Sequence, residues 1–252
     1  MTNYQKLYHS NQRSFIAYHK ISSKHNNKPG LIFLSGFKSD MNGTKAIAIA
    51  NYALKNDYDL IRFDYSGHGS SSGEFIDGTI GLWLENTLNV IDQLTDKPQI
   101  LIGSSMGGWI MLLAALARPK RILSLVGLAA APDFTEELIW DCLSDKQKEI
   151  LLADRIIDFS NEFCNDPYPI SLKLITEARN HLLLRKEMPI NIPIHLIHGM
   201  EDKDVPFQTA IRIAQRATGN DVNIHLIKNA GHGLSQAKEL EVIYKVVSNL
   251  MK

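Results

Sequence analysis

Cysteine is scarce. Two residues in 252, Cys142 and Cys164, leave no Cys-x-x-Cys pair and no zinc-type spacing. That excludes a disulfide-stapled scaffold. The two thiols read as reduced side chains of a cytosol-like compartment, each serving as a small buried hydrophobe. Excess charge of either sign is missing too: 27 Lys and Arg balance 27 Asp and Glu. No overall field therefore draws the chain to nucleic acid or to an anionic membrane. Long apolar runs are absent. The longest, Gly107 to Ala117, stops at Arg118, short of the roughly 18 residues a membrane span needs. The N-terminus carries no signal-peptide core. Residues 1–39 do lack Asp and Glu, while holding Lys6, Arg13, Lys20, Lys24, Lys28 and Lys38. A transit peptide is acid-poor as well, but it is Arg-rich and helically amphipathic. "RSFIAYHKI" reads instead as a strand, so the N-terminus is read as part of the fold.

What is present is an alternation. At 44% hydrophobic residues the chain can build a sizeable core. Short apolar runs ("LIFL", "YDLIRFD", "QILIG", "RILSLVGLAAA", "IPIHLIHG", "DVNIHLIKN") are separated by stretches with helical apolar spacing. Strands apolar on both faces that alternate with helices predict an α/β domain with a mostly parallel central sheet, flanked by helices. Gly-rich breaks follow Leu34, Asp64, Ile102 and Ile197, at the strand ends where such sheets bind ligands. From 133 to 190 the rhythm lapses. "DFTEELIWDCLSDKQKEILLADRIIDF" and "ISLKLITEARNHLLLRK" have helical spacing. The expected organisation is a core of residues 1–132 and 191–252, with residues 133–190 a helical cap insertion.

The densest chemical signal is "QILIGSSMGGWIMLLAALARP", a strand, a Gly-x-Ser-x-Gly and a helix ended by Pro119. A serine at such a strand-to-helix corner sits on a sharp, strained turn with its hydroxyl exposed. Gly103 and Gly107, two residues either side of Ser105, are then needed because the backbone is crowded there. The turn puts Ser105 at a helix N-terminus, which favours a developing anion. A hydroxyl needs a base. Of 9 histidines, His232 in "NAGHGLS" and His68 in "YSGHGSS" occupy strand-end loops. His195 and His225 lie within strands and read as packed residues, and His198 ends its strand. His195 and His198, three apart on a strand, face opposite sides and make no metal pair. His9, His19, His25 and His181 read as surface or packing residues. The base in turn needs an acid. "IHLIHGMEDKDVPF" offers Asp202 first and Asp204 second, although Asp204 could instead cap the helix expected from Pro206. The order Ser105, Asp202, His232 suits a hydrolase of this architecture and favours His232 over His68. Two backbone donors for an oxyanion are expected from Met106, next to the serine, and from Phe37 in the loop after "LIFL". No metal and no cofactor are expected.

The segments "LSGF", "FDYSGHGSSSG", "GSSMGGW", "HGMEDKDVP" and "AGHG" resemble, in order, landmarks of the α/β-hydrolase superfamily. The stretches around Gly36, Asp64 and Ser105 look more narrowly like the mitochondrial α/β-hydrolase-domain esterases of animals, palmitoyl-protein thioesterases and acyl-glucuronide esterases, and their bacterial relatives. That resemblance implies the α/β-hydrolase fold. It carries a nucleophile, acid and base onto Ser105, Asp202 and His232, and oxyanion amides onto Phe37 and Met106. It implies cleavage of acyl esters or thioesters, with a small-molecule or acylated substrate as partner. A carbon–carbon hydrolase or peptidase of the same fold is the alternative, and a non-catalytic binding member a further one. Without a clear transit peptide the expected location is a bacterial-type cytoplasm, or the mitochondrion if the chain follows the animal proteins. The likeness is thin over 133–190. There Phe134, Leu138, Ile139, Trp140, Phe159 and Phe163 could line an apolar acyl site or simply dock the cap.

Overall fold

The computed structural model describes residues 4–9, 13–24, 28–159 and 167–252. In chain order the elements are β1 (Gln5–Tyr8), β2 (Phe15–Ile21), β3 (Gly30–Leu34), α1 (Thr44–Lys55), β4 (Leu60–Phe63), α2 (Ile80–Leu94), β5 (Gln99–Ser104) and α3 (Met106–Ala117). They continue with β6 (Ile122–Leu128), α4 (Asp145–Asp154), β7 (Ile156–Phe159), β8 (Tyr168–Ser171), α5 (Leu172–Ala178), β9 (Ile194–Gly199), α6 (Gln208–Arg216), β10 (Val222–Ile227) and α7 (Ala237–Leu250). Eight strands form one sheet in the order β1-β2-β4-β3-β5-β6-β9-β10. The six from β4 to β10 run parallel, and the β1–β2 ribbon is antiparallel on one edge. The "RSFIAYHKI" strand is β2.

Alternation along the strands sorts side chains into two layers. Ile32, Leu34, Leu101, Leu125 and Leu196 meet the layer that holds Trp83 of α2 and Trp109 of α3. Leu31, Phe33, Ile100, Ile102, Val126 and Ile197 face the layer of Ala46 and Ile49 of α1 with Ile243 and Val247 of α7. Both sides of the sheet are thus covered, which is why β3 and β5 are apolar without polar alternation. Helix α3 is buried from Met106 to Ala115, so its sequence is apolar all round rather than amphipathic. Thr79 starts α2 by accepting from the Leu82 N–H at 3.1 Å.

The stretch 133–190 is not purely helical. It contains a π-turn at Thr135–Ile139, α4, α5 and a two-stranded antiparallel pair, β7 with β8. "RIIDF", expected as helix, is the turn into β7 and the strand itself. Arg155 ends α4 in the left-handed region, at φ 67°. The following Ile-Ile-Asp-Phe pairs with Tyr168–Ser171, and the Phe159 ring lies 5.7 Å from that of Tyr168. β-branched residues right after a helix stop fit a pleated ribbon as well as a helix, and three-and-four spacing cannot separate the two over four residues. Helix α6 begins at Gln208, not Pro206, so Asp204 does not cap it. His25, Phe163 and Cys164 lie outside the described residues.

Candidate active site

The strand ends bring four loops together, those after β3, β5, β9 and β10. β5 passes into α3 through Ser105, whose φ of 54° and ψ of −119° lie in a region that L-residues avoid. Neighbouring backbone holds it there. The Ser105 N–H donates to Leu128 O at 2.9 Å, and the Ser105 carbonyl accepts from Ala131 N at 3.0 Å and Gly108 N at 2.9 Å. The corner is tight enough that a Cβ on Gly103 would overlap the carbonyl of Gly107. Gly36, in the loop after β3, faces the serine itself: a Cβ there would stand 3.3 Å from the Ser105 Cβ.

The loop after β9 is tied to the loop after β10. Met200 N donates to Ile227 O at 3.0 Å, and Glu201 N to Ala230 O at 2.9 Å. This carries Asp202 beneath His232. His232 Nδ1 lies 2.8 Å from Asp202 Oδ2, and His232 Nε2 lies 3.1 Å from Ser105 Oγ. A carboxylate opposite Nδ1 fixes the proton on that nitrogen, which leaves the Nε2 lone pair to accept from the serine hydroxyl. Asp202 Oδ1 accepts from Asp204 N at 3.0 Å and Val205 N at 2.8 Å. The Asp202 side chain is fully buried, whereas that of His232 keeps 26% of its surface. Burial alone would raise the Asp202 carboxyl. The donors around it, from His198, His232 and the Val205 N–H, overbalance burial and hold it well below the usual carboxylate range.

The two expected oxyanion donors border the same corner. Met106 is the first residue of α3, so its N–H is among those that open the helix without an intrahelical partner. Phe37 and Ser105 line one cavity of about 380 Å³, shared with Ser39, Lys45, His232 and Ser235. The Phe37 ring contributes more than a neutral fit. It is the hub of an aromatic cluster, 4.9 Å from Phe75, 5.8 Å from Trp83, 5.5 Å from Phe134 and 5.7 Å from Tyr168, centroid to centroid. The last two belong to the 133–190 stretch. Other apolar residues of that stretch dock it: Ile139 and Phe159 are buried, and Trp140 stacks under Arg179 at 4.8 Å.

Asp204 is exposed, and its backbone rather than its carboxylate serves Asp202. Among the described residues, Asp202, Asp204 and His232 form the one group of three close enough to share an ion, with donor atoms within 4.8 Å. Two of those donors already face each other in the Nδ1–H···Oδ2 bond. His68 is elsewhere, buried in a cage of Tyr65, Phe75 and Trp83. Burial pushes it down to about 4, the Ser66 carbonyl and Asp40 only partly opposing this. His195 and His225 stack on each other at 6.0 Å. His181 is no bare surface residue: its Nε2 lies 2.6 Å from Glu177 Oε1, and its carbonyl accepts from Trp109 Nε1 at 3.0 Å.

Two neighbours of the site carried no signal of their own in the sequence. Lys45 on α1 donates from Nζ to Gly233 O at 2.5 Å, clamping the His232 loop. Burial lowers it, and the nearby Glu239 and Asp202 oppose that. His198, near the end of β9, places Nε2 3.1 Å from Asp202 Oδ2. Strand periodicity located His198, but nothing in the spacing said that the next loop folds back onto it.

A serine at a strand-to-helix elbow on a mostly parallel sheet, bonded to a histidine that is itself bonded to an aspartate, both from later strand ends, is the architecture of an α/β hydrolase. Residues 29–149 match the family model described as the alpha/beta hydrolase fold. The human mitochondrial palmitoyl-protein thioesterase ABHD10 is 37% identical over 237 residues, 94% of this chain and 76% of that protein. The mouse alpha/beta hydrolase domain-containing protein 10 superposes with a TM-score of 0.90 at 32% identity, covering 99% of this chain and 98% of that one. A putative hydrolase from Agrobacterium vitis S4 gives 0.92 at 31% identity, with 100% and 99% covered. The chain therefore belongs to the α/β-hydrolase family. No helix among the described residues is long and apolar enough to cross a membrane.

Proposed function

We propose that the protein is a serine hydrolase of acyl esters or thioesters. The observation that carries this reading is the continuous pair of bonds through His232, to Ser105 Oγ on one side and Asp202 on the other. His232 Nε2 takes the hydroxyl proton as Oγ adds to the acyl carbonyl. The carbonyl electrons pass to oxygen, and the Phe37 and Met106 amides hold that oxyanion. As the C–O or C–S bond breaks, His232 gives its proton to the departing alcohol or thiol, leaving an acyl-serine. Water then repeats the sequence and releases the acid. Asp202 stays ionised throughout and stabilises the imidazolium.

Residues 133–190 act in this reading as a cap over the site, docked through the aromatic contacts of Phe134 and Tyr168 with Phe37. The cavity at Ser105 is walled by Ser39, Thr44, Lys45 and Ser235 as well as Phe33 and Phe37, which suits the polar part of a substrate beside its acyl group. The thioesterase name of the animal relatives brings fatty-acyl thioesters into the range. It also brings the mitochondrion as a location, beside a bacterial-type cytoplasm.

The test is labelling with a fluorophosphonate probe, wild type against Ser105→Ala, Asp202→Asn and His232→Ala. Label retained in Ser105→Ala overturns the nucleophile. Matched ester, thioester and diketone substrates of graded chain length then define the bond. Turnover of the diketone alone would replace the ester reading with carbon–carbon hydrolysis.

A further inference from the structure

A second histidine stands against the acid of the site. His198 is 1% exposed, and its Nε2 lies between two oxygens, Asp202 Oδ2 at 3.1 Å and the Val205 carbonyl at 2.9 Å. Neither oxygen can donate to it while Asp202 is ionised. Nε2 must therefore carry a proton, or lone pairs would face lone pairs on a buried nitrogen. His198 is a donor in this position, and its tautomer is set by its neighbours. The bond is shared between strand and loop, because Val205 also sends its N–H back to Asp202 Oδ1 at 2.8 Å. Asp202 Oδ2 accepts from His232 at 2.8 Å, and His198 Nε2, whose N–H donates to the Val205 carbonyl, stands against the same oxygen at 3.1 Å. With Oδ1 held by the Asp204 and Val205 amides, the carboxylate cannot rotate without breaking a bond at each end.

We propose that His198 is a positioning residue for the reaction: it fixes the Asp202 carboxylate in the rotamer and plane that His232 requires. The proposal rests on the Ser105–His232–Asp202 reading above. His198 touches neither the serine nor the cavity at Ser105 among the described contacts, so its effect runs wholly through Asp202. Partners that orient a catalytic ligand from behind typically change function by about 10- to 100-fold when lost.

A double-mutant cycle separates this role from a merely structural one. Turnover of a p-nitrophenyl ester is measured for wild type, His198→Phe, Asp202→Asn and the double variant, with His198→Gln as the conservative replacement. His198→Phe should lower kcat about 10- to 100-fold with KM within about threefold. His198→Gln, whose amide N–H reaches toward the Nε2 position, should recover most of that loss. In the Asp202→Asn background, His198→Phe should cost little further, since the group it orients is already gone. Losses that multiply, or equal activity of the Phe variant and wild type, would overturn the proposal. If His198→Phe does not fold, His198→Asn, whose shorter amide stops short of Oδ2, takes its place in the cycle under the same criteria. Full activity of both Ser105→Ala and Asp202→Asn would instead refute the underlying reading, so the two failures are distinct.

Discussion

Gly107, in the first turn of α3, stands directly against the carbonyl of Leu34, the last residue of β3; a Cβ on Gly107 would overlap that oxygen and the Ser35 carbonyl beside it. Helix and strand end are thus pressed together where one carries Met106 and the other leads to Phe37. The distance between the two proposed oxyanion amides is set by a contact that only a missing side chain allows.

Gly107→Ala tests this by its sign. By helix propensity alone the change should stabilise this first-turn position, by at most about 0.5–1 kcal/mol. Against backbone that cannot rotate away, overpacking should instead cost about 1–3 kcal/mol. Chemical denaturation should show a net loss, and esterase activity should fall more than tenfold as the loop after β3 is pushed off. A more stable, fully active variant would mean that the loop is free to give way.

The choice between the two aspartates is equally accessible. Asp202→Asn removes the acceptor that sets the His232 tautomer, and kcat should drop by roughly 10³- to 10⁴-fold with the fold retained. Asp204→Asn leaves the backbone N–H that bonds Asp202 Oδ1 in place, and its effect should stay within about threefold. Circular dichroism with steady-state kinetics on both variants checks the pair. The reverse ranking would make Asp204 the acid.

His68 separates motif from mechanism. It lies in a Gly-flanked strand-end loop like His232, but its ring is enclosed by Tyr65, Phe75 and Trp83 with centroids 5.1–5.7 Å away. Pushed down to about 4 chiefly by burial, it is neutral at physiological pH. His68→Phe keeps an aromatic ring in that cage, and ester turnover should remain within about tenfold of wild type, whereas His232→Ala should lose at least 10³-fold. Steady-state rates for the two variants, side by side, decide it.

These contrasts show which parts of the molecule were legible in the sequence. The strands β3 to β6, the elbow and the order Ser105, Asp202, His232 could be read because each depends on local pattern: apolar runs bounded by glycine, and strand-end placement on a parallel sheet. Gly103 and Gly107 could be read because a strained corner leaves no room for a Cβ. The β7–β8 ribbon could not, since Ile156 and Ile157 suit either period over so short a stretch. Nor could Phe37 as an aromatic hub, or His198 and Lys45 as supports. Their partners, Phe134, Tyr168, Asp202 and Gly233, come from distant parts of the chain or from a loop that folds back, and only tertiary packing makes the contact.

Asp64 gives the fold a pH dependence. Its carboxyl is buried and pushed up to about 6, desolvation outweighing the Ser70 and Met41 N–H donors and the Arg62 guanidinium. In the unfolded chain the same group ionises near 4. Between about pH 4 and 6 the folded state therefore binds the extra proton, and stability falls as pH rises through that window. The full difference amounts to about 3 kcal/mol. Urea titrations of wild type and Asp64→Asn from pH 4 to 8 should show the stability of wild type relative to the variant declining up to about pH 6 and then levelling. Parallel curves across that range would mean that Asp64 titrates in the folded state as it does in the unfolded chain.

The Phe37 ring offers a way to divide backbone from side-chain contributions at the site. Its amide N–H is the proposed oxyanion donor, and a substitution leaves that donor in place. Its ring bridges Phe75 and Trp83 of the core to Phe134 and Tyr168 of the 133–190 stretch. Phe37→Ala should therefore destabilise the fold by about 1–3 kcal/mol, less than a fully buried phenylalanine because the residue is half-buried. It should also reduce kcat about tenfold, since an amide on a loop no longer anchored by its ring is held less firmly toward the oxyanion. Phe37→Leu, which refills part of the volume, should restore stability more than rate. Thermal unfolding and kcat for both variants report the two effects separately. A loss of stability with unchanged kcat in Phe37→Ala would show that the loop holds its amide without the ring, and that the cluster serves only to dock the 133–190 stretch.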